Sequence, residues 1–464
     1  MGETAFASEH KSDAAYLDVA ANAHGEEKAL LVHRALRRVQ TPHPQVVEIG
    51  PGGGAAVLSL ADRLAADPRR RGQVNLTVIE APGVASASLV KAMNQFNQVG
   101  TCDLVSGFAQ DLDTILEEPV DVISASALLH EVYSYGGGYG GVHSMARTLP
   151  GVLRPGGFFA YRDVYAVNAP SLHQRSVHLY DAKPWLQFLR MFVPQYLREG
   201  THPYHGAHDE MLFRQHSRIV PVERLDDGAP AFVSAPVGLF REVQRHYITF
   251  RDHVWRSGAL GFRPILDDRL PPDWLDARAG HKRVHYILTG RDGLPAAQGA
   301  LLPMLSESCT DHYTVDGDLF DEVTDTALSV FLDQAEQGEA ECGGIWDRWV
   351  VREGRETYAY LTVGELLTTF AVSSVAARRA DQTILVPVRV SDVTERDRSY
   401  YNRYLRRTLS NPLRDAKQLV LFSNAPLADH QAVGSALATL QRWCSRTDLA
   451  HIHSALNTGG RHAQ

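Results

Sequence analysis

Cysteine is scarce in this chain: four among 464 residues, at positions 102, 309, 342 and 444. They lie far apart and form no C-x-x-C pair, which excludes a zinc ribbon and a disulfide framework. A reducing compartment, the cytoplasm, is the expectation that follows. Long apolar runs are missing too. With no stretch of 18 apolar residues, no membrane-spanning helix is expected. The start, Met1-Gly2-Glu3-Thr4, lacks the basic residues and apolar run of a signal peptide. Positive charge is not in excess: 46 Lys and Arg stand against 54 Asp and Glu, a net charge of −8. That weighs against nucleic acid as a partner. Internal repeats and low-complexity runs are also absent. A chain that is 44% hydrophobic and 22% charged, at this length, is an ordinary globular protein of two or three domains.

What is there begins at Val46-Val47-Glu48-Ile49-Gly50-Pro51-Gly52-Gly53-Gly54. It reads as a buried strand running into a glycine-rich turn. A second strand, Leu76-Thr77-Val78-Ile79, ends on Glu80. Glycines let backbone N–H groups approach a ligand closely. A carboxylate at the end of the second strand can accept both hydroxyls of a ribose. The turn lacks the G-x-G-x-x-G fingerprint, and no Lys-Ser/Thr follows it as in a P-loop. The pattern therefore suits a nucleoside-bearing cofactor that is not held by its phosphates. A nicotinamide-binding unit, or glycines that serve only packing, is the competing reading.

Glu48-Ile49-Gly50-Pro51-Gly52-Gly53-Gly54 resembles the first motif of the class I S-adenosylmethionine (SAM) dependent methyltransferases, (D/E)-x-G-x-G-x-G. The resemblance covers roughly residues 43–168. It implies that Glu48 faces the SAM amino group, directly or through water. Gly50, Gly52 and Gly54 would pass close to the methionine and ribose, and Glu80 would hold the ribose hydroxyls. After strand three the family often has Gly-Asp-Ala; here Ser106-Gly107-Phe108-Ala109-Gln110-Asp111 places Phe108 where the Asp is expected. Phe108 would stack on adenine, with Gln110 or Asp111 reading its amino group. Ala109 and Ser126 complete the implied cofactor contacts.

From residue 45 onward strands alternate with helices, which predicts an α/β fold: a Rossmann-like, doubly wound, mostly parallel sheet. Strands are expected at 45–49, 75–79, 103–106, 121–125 and 157–161. Ligands bind such sheets at the carboxyl ends of the strands. Four regions are expected: a helical cap over 1–42, a SAM-binding domain over 43–168, a substrate-binding insertion over 169–290, and a C-terminal α/β accessory region over 291–464. A dimerisation role for the last would make the protein a homodimer.

Past strand four comes Leu128-Leu129-His130-Glu131-Val132-Tyr133, then Gly136-Gly137-Gly138-Tyr139-Gly140-Gly141, expected as a mobile loop. His130 and Glu131 adjoin the implied methyl donor, as catalysts or as anchors of that loop. Asp163, beside Arg162 at the end of strand five, can accept a proton or simply pair with the arginine. Residues 170–290 hold ten histidines, densest in His202-Pro203-Tyr204-His205-Gly206-Ala207-His208-Asp209-Glu210. This spacing matches no metal signature, and no metal ligands are assigned. His205 is the candidate substrate-facing base there; metal binding and a surface loop with no chemistry are the alternatives. The candidates for catalysis are thus His130, Glu131, Asp163 and His205. Arg241, Arg245, Arg251 and Arg256 form either an anion site or a solvated helix face.

The resemblance implies methyl transfer to a small-molecule acceptor, such as a secondary metabolite or nucleoside. The same fold hosts 3-amino-3-carboxypropyl transfer and SAM cyclisation. A SAM-binding scaffold and a nucleic-acid methyltransferase also stay open, though the (D/N)-P-P-(Y/F) motif of many DNA-modifying members is missing.

Overall fold

The computed structural model describes residues 25–84, 86–164, 171–265, 283–290, 296–376, 382–393, 400–413 and 417–459. Residues 1–24 of the expected helical cap lie outside these. Among the described residues, no helix is long and apolar enough to cross a membrane.

Five strands follow the expected alternation: β1 (Gln45–Ile49), β2 (Val74–Glu80), β3 (Gly100–Ser106), β4 (Val120–Ser126) and β5 (Leu153–Val164). They pair in parallel in the order β3-β2-β1-β4-β5. Alternate residues face opposite layers, as the two-residue period of a strand requires. Val46, Val78, Val122 and Phe158 face the side covered by α1 (Gly25–Leu36), α2 (Ala55–Ala65) and α3 (Ala87–Phe96). Val47, Ile79, Ile123 and Phe159 face the other, covered by α4 (Leu129–Tyr135) and α5 (Tyr139–Val152). The expected N-terminal cap is corrected in part. Helix α1 is a layer of this sandwich, with Leu31, Val32, Ala35 and Leu36 buried. The apolar stripe that marked it as a helix is spent on the sheet.

Beyond β5 the chain builds a second core. Strands β6 (Arg175–Tyr180), β7 (Leu212–Gln215), β8 (Arg218–Val220) and β9 (Ala231–Pro236) form one small sheet. A second holds β10 (Phe262–Pro264), β11 (Arg283–Leu288), β12 (Glu307–Ser308) and β13 (Tyr313–Asp316). Helices α6 (Lys183–Glu199), α7 (Val237–Ser257), α8 (Gly317–Glu336) and α9 (Ala340–Trp349) complete it. The four arginines of α7 do not share one face: Arg256 is exposed and Arg245 half-buried. Arg241 and Arg251 are fully buried, and Arg251 lies 3.7 Å over the Tyr404 ring and 3.5 Å from Asp325.

The boundary expected at residue 291 is corrected. After α10 (Val363–Ala376) the chain returns to the first sheet as β14 (Thr383–Val393). It leaves through α11 (Tyr400–Thr408) and returns again as β15 (Lys417–Pro426). The full order is β14-β15-β5-β4-β1-β2-β3, with β15 antiparallel to both neighbours. Helices α12 (His430–Leu440) and α13 (Arg446–Gly459) close the chain. The seven-stranded sheet is therefore completed by residues more than two hundred positions downstream of β5, and the segment between is an insertion. Nothing in the hydropathy of 383–388 or 418–422 says which sheet those strands join, because any exposed β edge accepts a strand.

A fragment ending at residue 168 should accordingly not fold alone, since the edge of β5 stays unpaired. Compared with the full chain, size-exclusion chromatography should show aggregation and circular dichroism no cooperative melt.

Candidate active site at the carboxyl ends of the strands

The glycine turn adopts the backbone its sequence suggests. Gly50, Gly52 and Gly54 have φ of 62°, 54° and 80°, a region costly for residues with a Cβ. Gly54 begins α2, and a Cβ there would stand 2.9 Å from Ala92 Cβ and 3.0 Å from Leu89 Cα on α3. Helices α2 and α3 can approach this closely only over a glycine. Gly52 donates its N–H to Glu80 Oε2 at 3.3 Å, and Ala81 donates to Glu80 Oε1 at 2.8 Å. The Glu80 carboxylate is thus fixed above the turn at the end of β2. Burial pushes its pKa up to about 7, against the opposing effect of those two hydrogen bonds.

Glu48 takes a different place. It shares a strand face with Val46 and lies among Ala29, Val32, Ala56, Val57 and Leu60 of α1 and α2. Burial raises its pKa, while a hydrogen bond with Ser124 and the charge of Lys28 oppose the rise. Its carboxylate therefore sits beneath the turn. After β3, Gly107 donates its N–H to Glu80 O at 2.9 Å, which brings the next residues beside the turn. Phe108 is half-buried, Ala109 is buried, and Asp111 is exposed on the one-turn helix Ala109–Asp111.

At the end of β4, Ser126 is buried opposite Arg162 of β5. Ala127 follows with φ 55°, one of three non-glycine residues with positive φ among those described. Its N–H donates to Arg162 O at 2.7 Å. Such strained backbone is kept where the surroundings over-determine it, commonly at functional sites. It aims the start of α4 inward. His130 then meets Asp163 twice: its backbone N–H donates to Asp163 Oδ2 at 3.1 Å, and its Nδ1 lies 2.6 Å from Asp163 Oδ1. Both side chains are buried.

The insertion supplies the opposite wall through Glu356-Thr357-Tyr358-Ala359-Tyr360. Glu356 Oε2 lies 3.6 Å from His130 Nε2. It accepts from Tyr358 Oη at 3.0 Å, while Glu356 Oε1 accepts from Tyr135 Oη at 3.3 Å. Thr357 donates its N–H to Ser134 Oγ, which in turn donates to His130 O. Tyr360 stacks on Tyr133 with ring centres 4.4 Å apart. The segment is itself held by Glu242 of α7, whose Oε1 accepts the N–H groups of Tyr358 and Ala359. Burial pushes Glu242 up to about 8 and neighbouring His246 down to about 4, so this buried pair is neutral. For His130, burial lowers the pKa, but the charge and hydrogen bond of Asp163, then Glu356 and Glu131, outweigh it and lift it to about 9.

Among the four candidates for catalysis, His130, Glu131 and Asp163 thus come together. His205 does not. It is exposed on a loop and stacks on His202 at 4.3 Å. His202 is buried and structural: Nδ1 accepts the Tyr204 N–H, so Nε2 carries the proton given to Leu197 O. The glycine-rich stretch is also corrected, because Gly140 and Gly141 belong to α5 and only residues 136–138 form the connection from α4. Gly141 allows it: a Cβ there would lie 2.3 Å from Gly136 O. Glu356, Tyr358 and Tyr360 were missed. The aromatic alternation in Tyr358-Ala359-Tyr360 is the only sign of them in the sequence.

No protein-family model and no curated sequence matches the chain. Parts of the chain are similar to parts of solved SAM-dependent methyltransferases. The CurJ carbon methyltransferase is 16% identical over 31% of this chain and 35% of its own, with a TM-score of 0.24. SAM-bound CalS10, an amino pentose methyltransferase from Micromonospora echinaspora involved in calicheamicin biosynthesis, is 17% identical over 33% and 57%, TM-score 0.24. An O-methyltransferase family protein from Burkholderia thailandensis is 11% identical over 50% and 62%, TM-score 0.27. The chain thus covers less than two thirds of each of these proteins.

Gly54→Ala should destabilise the protein by about 1–3 kcal/mol, the scale of a strained backbone. Urea unfolding of the variant against the parent checks this.

Proposed function

We propose that this protein is a SAM-dependent transferase that methylates a small-molecule acceptor. One observation carries the reading: the Gly50–Gly54 turn and the fixed Glu80 carboxylate adjoin, across β1, a buried polar cluster at the ends of β4 and β5. The residues fit the cofactor. Gly50, Gly52 and Gly54 put no side chain between the turn's backbone and a ligand, and Glu80 offers two oxygens to a ribose. SAM, when bound, supplies a methyl group activated on a sulfonium.

The chain's own part is positioning. Glu80 and the glycine turn would hold the nucleoside end, and Phe108 would lie against the adenine. Asp163 fixes the His130 ring from behind. Tyr133, Tyr358 and Tyr360 would wall the acceptor side. Holding the two reactants in line is itself worth many kcal/mol of barrier. The nucleophile–carbon bond forms as the sulfur–carbon bond breaks, and the nucleophile's proton passes to the polar cluster or to water. Enclosure by aromatic side chains, with an acidic net charge, favours a small organic acceptor over a nucleic acid.

Calorimetric titration with SAM and S-adenosylhomocysteine should give binding, and mass spectrometry should find S-adenosylhomocysteine as the product. Methylthioadenosine instead would replace methyl transfer by aminocarboxypropyl transfer or cyclisation. Absence of binding would remove the reading altogether. Glu80→Ala should weaken SAM by about 1–3 kcal/mol, the cost of hydrogen-bonding groups left unpaired.

The affinity should depend on pH with a definite sign. Glu80 keeps its proton up to about pH 7 in the free protein. Ribose hydroxyls favour its ionised form, so binding releases a proton below that pH. SAM affinity should therefore fall as pH drops from 8 to 6, and Glu80→Gln should flatten the trend in the same titrations.

A further inference from the structure

We propose that His130, Glu131 and Glu356 form a binding site for a divalent transition-metal cation, Mn²⁺, Fe²⁺ or Zn²⁺, beside the carboxyl ends of β4 and β5. One donor atom from each of the three residues lies within 4.8 Å of the other two, the one such grouping among the described residues. Two donors on the same ion, each bonded at about 2.0–2.2 Å, stand roughly 3–4 Å apart. Small side-chain rotations bring the three to that spacing.

The histidine is already prepared. Its Nδ1 is committed to Asp163 Oδ1 at 2.6 Å, and Asp163 is anchored through its other oxygen by the His130 N–H. A carboxylate behind the imidazole holds the Nδ1 proton, so a cation binding at Nε2 has only the Nε2 proton to displace. This is the outer-shell arrangement that metal-binding histidines use. Nε2 faces Glu356 Oε2 at 3.6 Å. That is too long for a hydrogen bond, yet it suits two ligands sharing one ion.

Tyr358 Oη lies 3.0 Å from Glu356 Oε2 and 3.0 Å from Glu353 Oε2, which holds the Glu356 carboxylate in place beside His130. Asp163, Glu356 and Glu131 all lie close enough to His130 to act on its charge. One imidazole with two carboxylates is a mixed N,O set, which favours Mn²⁺, Fe²⁺ or Zn²⁺ over Ca²⁺ or Mg²⁺. An ion there would lower the pKa of an oxygen nucleophile bound to it. In this way the inference deepens the proposed function, and it rests on the same polar cluster of His130 and Asp163.

The test uses the full chain, stripped with a chelator and dialysed. Mn²⁺ is followed by the electron paramagnetic resonance of the free ion, and Zn²⁺ by calorimetry. The expected result is one equivalent bound at micromolar affinity. Glu356→Gln and Glu131→Gln should each weaken it at least tenfold, and Asp163→Asn by about 10- to 100-fold. Glu131 is only half-buried, so its variant tests the site even if Glu356→Gln disturbs the fold. His205→Ala on the exposed loop should change nothing. The site is overturned if the folded parent binds no stoichiometric metal, if both glutamine variants bind as the parent does, or if His205→Ala abolishes binding. SAM titrated separately into metal-free protein keeps the two ideas apart. Cofactor binding without metal binding overturns the cation site alone, and the converse overturns the methyltransferase reading alone.

Discussion

The antiparallel pairing of β15 with β5 is the constraint on which the rest depends. Residues Lys417–Ser423 run opposite Val164–Phe158, with Gln418 facing Asp163 in register. Asn424 reinforces the start of β5: its Nδ2 donates to the carbonyls of Pro150, Leu153 and Arg154. This pairing protects the edge of β5 and holds Asp163 at the sheet's carboxyl end. Asp163 then fixes His130, and the ladder of hydrogen bonds from Ser134 to Thr357 fixes the segment that brings Glu356. The site is rigid because a sheet, not a loop, carries its central carboxylate.

The wall opposite the sheet is made by the insertion, and it is joined by polar contacts buried deep in the protein. Glu242 accepts two backbone N–H groups of the 356–361 segment, and Tyr204 Oη donates to Ala359 O at 2.7 Å. A buried polar contact is weakly stabilising when made and costly when one partner is lost. The seam therefore sets the position of Glu356 and Tyr358 more than it adds to stability. Changes in α7, at some distance from the reacting atoms, would reach the site through this segment.

Much of the cofactor half was legible in the sequence, because it is local. The strand–glycine turn–strand pattern depends on neighbours in the chain, and the φ values of Gly50, Gly52 and Gly54 match it. The expected strands at 45–49, 75–79 and 121–125 fall within observed ones. What was illegible is non-local. The sequence shows that 383–388 and 418–422 are strands but not which edge they join. It shows that His130 and Asp163 exist but not that they meet, 33 positions apart. Glu356 carries no mark of its own, since its role comes from the fold bringing it to a histidine 226 positions earlier. His205 misled for the opposite reason: a dense run of histidines draws notice, yet the loop turns that ring to solvent.

The excursion through α11 between β14 and β15 bears on how the molecule is made. Arg403 of that helix pairs with Asp318 and Asp321 of α8, both at 2.6 Å, so the excursion between the two strands is docked on the insertion. Sheet completion then waits for the chain between β5 and β15, about 250 residues. At ribosomal speed that is on the order of 10 to 50 s, during which the edge of β5 is bare. A nascent chain of this design spends much of its synthesis as a client for chaperones, and its yield in a host would be governed by protection of that edge more than by final stability.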